Sequence, residues 1–282
     1  MVIYVKNRTK RKLLIVILVV MLLGIAVSVS GILYIVLQYE KSKEEYVELN
    51  TYVAVEDSKV PEPEEEIVEP LEEDPEEVPE ESVIDVDFDM DYESLKEINK
   101  DFVGWIYYEP LEISYPVVID KGNDYYEKHS FNNESNVAGA IFMDYLCRSD
   151  FNSFNTIVYG HNMRNGTMFG KLNKLIDEPD ITKENPYFYI FTENEARKYR
   201  IVSAYYTGKG TKSFEVSLND DIDTIQEYID YFDGVSVYRD EDFFAQDYDE
   251  NLKICTLATC HGLHSNTRTI VHGVLEAVEK RK

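Results

Sequence analysis

At 282 residues the chain has room for one or two domains, and a formal net charge of −26 argues against nucleic acid as a partner. It carries three cysteines, so at least one thiol stays unpaired even where disulfides can form. The charge is unevenly spread, and its distribution divides the chain.

Residues 1–12 hold five basic side chains (Lys6, Arg8, Lys10, Arg11, Lys12) and no acidic one. Leu13 to Leu37 follows, 25 residues without a charge. At about 1.5 Å per residue it exceeds a hydrocarbon core of roughly 30 Å. This predicts a single-pass anchor in the lipid bilayer, at a cell membrane, with the basic N-terminus in the cytoplasm and the rest outside. Ala26-Val27-Ser28 and Ser28-Val29-Ser30 offer small residues for signal-peptide cleavage. The apolar run continues past them to Leu37, which favours the uncleaved anchor.

Residues 38–91 read as an extracellular stalk. Between Glu56 and Asp91 stand 18 Asp or Glu against one Lys, interrupted by prolines 61, 63, 70, 75 and 79. Like charges and Pro without apolar periodicity predict an extended, solvated spacer. The remaining residues, 92–282, carry −12 and are ample for one hydrophobic core.

Within 92–282, Tyr92 to Asn99 has helical spacing through Leu95 and Ile98. Eight short β-like runs follow: 104–108, 114–119, 139–143, 156–159, 187–191, 198–206, 252–259 and 269–275. Turn residues such as Lys121-Gly122-Asn123-Asp124 separate them. Two further helices are predicted. One is 168–176, with Met168, Leu172, Leu175 and Ile176 on a face; the other is 221–232, with Ile222, Ile225, Ile229 and Phe232. A mainly β chain of this kind forms a barrel or a sandwich.

The chemistry gathers at strand ends. Thr256-Leu257-Ala258-Thr259-Cys260 ends an apolar strand in a thiol, and Arg268 opens the next strand eight residues later. Paired antiparallel, the two strands put thiol and guanidinium at one sheet end, within reach of one ligand. His161 follows the run Ile157-Val158-Tyr159-Gly160 and stands at another strand end. A nucleophilic thiol, an imidazole and a permanent cation are the parts needed to attack a carbonyl and hold the oxyanion. Taken singly, each also has an ordinary structural reading. A zinc site from Cys255, Cys260, His261 and His264 is disfavoured, because strand alternation turns the two thiols to opposite faces about 16 Å apart. Cys147 and Cys255 read as small core hydrophobes.

Residues 92–282 as a whole resemble the sortases, membrane-anchored cysteine transpeptidases of Gram-positive surfaces, and class B among them. Thr256-Leu257-Ala258-Thr259-Cys260 and Arg268 carry the likeness, with Asn99 to Ile106, Tyr115-Pro116-Val117-Val118, Gly139 to Tyr145, Tyr159 to Met163 and Met168-Phe169. The resemblance implies an eight-stranded sortase-type β-barrel with an N-terminal helix and a helix inserted between strands six and seven. It also implies Cys260 as nucleophile, His161 as acid and base, and Arg268 as oxyanion or carbonyl clamp, with no cofactor and no metal. The implied partners are surface proteins bearing a C-terminal sorting signal and the amine of a peptidoglycan precursor. Asn123, Tyr145, Ala258, Thr259 and His261 are the implied substrate contacts, the last through its backbone N–H. Two departures bear on substrate preference: Ala258 stands where class B carries Ser, and Glu127 where an apolar contact is expected. A plain cysteine protease and a non-catalytic wall-binding module are the competing readings.

Overall fold

All eight strand segments read from the sequence form, and hydrogen bonding closes them into one ring. The structure is a computed structural model, which describes residues 2–57, 84–208, 210–216, 222–246, 248, 251–259 and 267–281. Its elements in chain order begin with α1 (Val2–Leu49), β1 (Val53–Asp57), β2 (Val86–Met90), α2 (Tyr92–Ile98), β3 (Phe102–Tyr108), β4 (Ile113–Val118), β5 (Ile141–Met143) and β6 (Asn155–Gly160). There follow α3 (Lys174–Asp177), α4 (Asp180–Glu184), β7 (Tyr187–Phe191), β8 (Glu195–Thr207), α5 (Ile222–Val235), β9 (Tyr238–Arg239), α6 (Glu241–Phe244), β10 (Ile254–Thr259) and β11 (Arg268–Lys280).

The ring runs β11-β10-β6-β5-β4-β3-β7-β8, and β8 pairs back onto β11. Closure removes the exposed edges that an open sheet of this length would carry. The inserted helix is α5, in the connection between the sixth and seventh strands of the ring, β8 and β10. Ile225, Tyr228, Ile229 and Phe232 make its buried face, which matches the spacing read from the sequence.

Contacts divide the chain into residues 1–44 and 45–282. In the first unit α1 is long and apolar enough to cross a membrane, and the side chains of Leu13–Leu37 cover no core. The second unit begins well before residue 92, which corrects the stalk reading at both ends. β1 and β2 form an antiparallel pair, and Ile84, Phe88 and Met90 are buried. Phe88 stacks on Phe191 with centroids 3.9 Å apart. Alternate apolar residues at 84, 86, 88 and 90 make a strand face that composition alone had averaged away. The acidic, proline-rich residues 58–83 lie outside the described residues.

The helix expected at 168–176 is a second correction. Met168 takes a positive φ of 55° and bridges to Asn162, and Gly170 lies so near Met163 that a Cβ would come within 2.3 Å of the Met163 carbonyl. The backbone therefore folds through successive i→i+3 turns, and only Lys174–Asp177 is α-helical. Met168, Leu172 and Leu175 still point inward, so the apolar pattern survives the change of backbone.

A buried polar chain ties together the strands that lead to the candidate site. Thr256 Oγ1 donates to Asn155 Oδ1 (2.6 Å) and lies 2.8 Å from His272 Nδ1. His272 Nε2 lies 2.9 Å from the Tyr205 hydroxyl, and Asn155 Nδ2 donates to Tyr228 Oη on α5 (2.8 Å). One proton order satisfies every member: Tyr205 donates to Nε2, and Nδ1–H donates to Thr256. β6, β8, β10, β11 and α5 are thereby cross-linked, and burial drives the His272 pKa down to about 3.

Candidate active site

Strand register decides which residues can meet. β6 and β10 run parallel, pairing Ile157 with Thr256, Tyr159 with Ala258, and Gly160 with Thr259. β11 returns antiparallel, with His272 opposite Thr256 and Ile270 opposite Ala258. Paired residues share a face of the sheet, and neighbouring strands lie about 4.8 Å apart. His161 follows Gly160, Cys260 follows Thr259, and Arg268 is the first residue of β11. Cys260 and His261 lie outside the described residues.

His161 is half-buried, and its Nε2 lies 2.6 Å from the Glu127 carbonyl. A carbonyl only accepts, so Nε2 carries a proton and Nδ1 is left as the other functional nitrogen. Gly139 makes room for this ring. Its φ is +58°, and a Cβ there would lie 2.5 Å from the Tyr126 carbonyl and 3.0 Å from His161 Cδ2.

The Arg268 guanidinium donates from Nη1 to the Thr259 carbonyl (2.9 Å) and sits 5.7 Å above the Phe214 ring. It is therefore held against the residue that precedes Cys260. Thr259 is committed to the sheet: its hydroxyl accepts from the Thr269 N–H (2.9 Å) and the residue is buried. Ala258 is fully buried between Tyr159 and Ile270. Neither side chain is free to meet a ligand in this geometry.

A groove of about 360 Å³ runs past Arg268, walled by Asn123, Glu127, Phe142, Tyr159 and Phe214. Asn123 is half-buried and fixes the groove floor: its Nδ2 donates to Asp144 Oδ2 (2.8 Å), and its Oδ1 accepts from the Tyr145 N–H (3.1 Å). Tyr159 O–H also donates to Asp144 Oδ2 (3.0 Å), and burial followed by that carboxylate pushes the phenol pKa up. The Tyr145 side chain is 48% exposed and stands outside the groove wall. Glu127 serves twice, with its side chain on the wall and its carbonyl on His161.

Phe142 and Tyr159, which wall the groove, and Asp144, which anchors Asn123 and Tyr159, were within sequence runs already singled out, but nothing in their spacing marked them for these places. Phe214 had no sequence signal, because it belongs to the connection between β8 and α5. The other two cysteines are buried: burial pushes the Cys147 thiol up to about 12, and the Cys255 thiol is raised too. Both behave as the core hydrophobes expected of them.

Comparison with known proteins agrees with this architecture. The family model described as Sortase domain matches residues 108–276. Sortase B of Listeria monocytogenes is 34% identical over 172 residues, covering 59% of this chain and 65% of the relative's length. Sortase B of Staphylococcus aureus is 32% identical over 179 residues, covering 62% of this chain and 70% of the relative. Among solved structures, the Staphylococcus aureus sortase B–substrate complex superposes with a TM-score of 0.60 at 27% identity, over 66% of this chain and 84% of that one. With the closed eight-stranded ring, the helix between its sixth and seventh strands and the match over residues 108–276, the chain belongs to the sortase family, and its relatives are of class B.

Proposed function

We propose that this chain is a membrane-anchored cysteine transpeptidase. It cleaves a C-terminal sorting signal of surface proteins and joins the protein to a cell-wall precursor amine outside the membrane. One observation carries the reading. β6 and β10 end side by side at Gly160 and Thr259, and the Arg268 guanidinium donates to the Thr259 carbonyl, so the strand end that Cys260 follows in sequence has the His161-bearing strand on one side and the Arg268-bearing strand on the other.

In the first half-reaction the Cys260 thiolate attacks the carbonyl carbon of a Thr–Gly or equivalent peptide. Negative charge develops on the carbonyl oxygen, where the Arg268 guanidinium and the His261 N–H donate. Such a donor is typically worth about 3–4 kcal/mol of barrier. His161, with Nε2–H held by the Glu127 carbonyl, gives a proton from Nδ1 to the leaving amine. The C–N bond breaks and a thioacyl enzyme remains. In the second half an amine gives its proton to Nδ1 and attacks the thioester carbon; an amide forms, and the C–S bond breaks. The groove of Phe142, Tyr159 and Phe214 receives the sorting signal, and α1 holds the catalytic unit at the bilayer.

The test uses the full chain in detergent micelles. It is given a pool of peptides with one Thr–Gly bond and varied residues before it, together with an amine. Mass spectrometry should find a thioacyl adduct on Cys260 and an aminolysis product. Cys260→Ala should abolish both, and Arg268→Ala should slow turnover at least about 100-fold. A folded wild type that forms neither product sinks the reading. Products of hydrolysis alone would make it a thiol protease.

A further inference from the structure

A second groove, of about 690 Å³, opens beside the same strand ends. Its wall includes the immediate neighbours of the candidate catalytic residues: Asn162 follows His161, and Thr269 follows Arg268. The side chain of Thr269 points away from that of Arg268 by strand alternation, so this groove is separate from the one along Phe214. Among the described residues, Arg164, Lys171 and Lys174 are the basic ones that line it, and no acidic residue does. Lys171 is ion-paired with Glu112. Arg164 and Lys174 are exposed and have no ion-pair partner among the described residues. A cationic groove is unexpected in residues 92–282, whose net charge is −12.

We propose that this groove receives the amine acceptor, and that the acceptor carries an anionic group, carboxylate or phosphate, which Arg164 and Lys174 hold while the amine reaches His161. The inference rests on the transpeptidase reading and narrows its second substrate. Unpaired cations beside the strand ends attract an anion and repel an ammonium ion. They thereby also favour the neutral amine, the form that attacks a thioester. The donor peptide and the acceptor then approach the thioester through different grooves, so neither has to leave before the other binds. In the step itself the amine N–C bond forms, the C–S bond breaks, and the amine proton passes to His161.

The experiment offers the full chain, acylated by the Thr–Gly peptide pool, either Nα-acetyl-lysine or Nα-acetyl-lysinamide. These share one ε-amine and differ in the carboxylate. The readout is the ratio of aminolysis to hydrolysis, which a general loss of enzyme does not move. The free acid should be favoured about tenfold, and Arg164→Gln with Lys174→Gln should reduce that preference to about twofold or less. Inorganic pyrophosphate provides the second arm. If it suppresses aminolysis by both acceptors without slowing hydrolysis, the groove holds a phosphate. If only the carboxylate discriminates, it holds an acid. Equal use of acid and amide with no effect of pyrophosphate overturns the proposal, as does a preference that survives in the folded double variant. Absence of any thioacyl adduct or hydrolysis removes the transpeptidase reading itself, and this proposal with it.

Discussion

Acidification should destabilise this protein through a histidine that no substrate touches. His272 is fully buried in β11, and burial lowers its pKa to about 3, whereas an unfolded chain holds histidine near 6.5. The depressed value is the folded one, so the unfolded state takes up the proton first as pH falls. The stabilisation from neutral His272 is complete above about pH 6.5 and is lost progressively towards pH 3. Between pH 7 and pH 5 the loss from this residue is about 2 kcal/mol. His272→Gln can keep both hydrogen bonds, its amide donating to Thr256 and its carbonyl accepting from Tyr205, and it does not titrate. Urea unfolding at the two pH values can be followed by fluorescence of Trp105, the one tryptophan, which is fully buried and donates to Ser114 Oγ. Wild type should lose about 2 kcal/mol more than His272→Gln between pH 7 and pH 5. Equal losses in the two proteins would show that His272 is not held neutral by the fold, and the buried network would need another proton order.

Thiol labelling gives a second check. Cys147 and Cys255 are buried with raised pKa values, so native protein at neutral pH should take up one equivalent of iodoacetamide, and Cys260→Ala none; labelling of the folded variant would contradict this. Gly139→Ala combines a positive φ with contacts at 2.5 and 3.0 Å. It should cost about 1–3 kcal/mol in urea unfolding and lower turnover by displacing His161. Phe214→Ala removes one groove wall and the ring beneath Arg268. A several-fold rise in KM for the peptide is expected, with a smaller change in kcat; an unchanged KM would remove Phe214 from the peptide path. Arg268→Lys keeps the charge but loses the planar fork that can hold the Thr259 carbonyl and donate to the proposed oxyanion at once, so turnover should stay far below wild type.

Local pattern and tertiary packing contributed differently to what could be read. Strands such as 187–191 and the buried face of α5 were legible because burial imposes a period of about 2 or 3.6 on apolar residues. The parity argument that separated Cys255 from Cys260 needed nothing beyond strand alternation, and Cys255 is in the core. The 168–176 segment shows the limit of periodicity: its apolar residues are inside, yet Met168 and the close approach of Gly170 to Met163 impose turns in place of helix. Composition failed at 84–90 because four alternating apolar residues were hidden within an acidic tract.

The candidate site divides along the same line. Residue types and their places at strand ends pointed to a thiol, an imidazole and a guanidinium, and family likeness named the reaction. Which strands lie side by side is a long-range property: β6 pairs with β10 across about a hundred residues, and local propensity carries no record of that pairing. Only the closed barrel decides that His161 leaves its strand beside Thr259 and that the Glu127 carbonyl selects its tautomer. Only the barrel, too, gathers Arg164 and Lys174 in a second groove, without an ion-pair partner among the described residues. The order of residues determined which side chains stand at the strand ends, and tertiary packing decided which of them lie together and that two grooves open beside them.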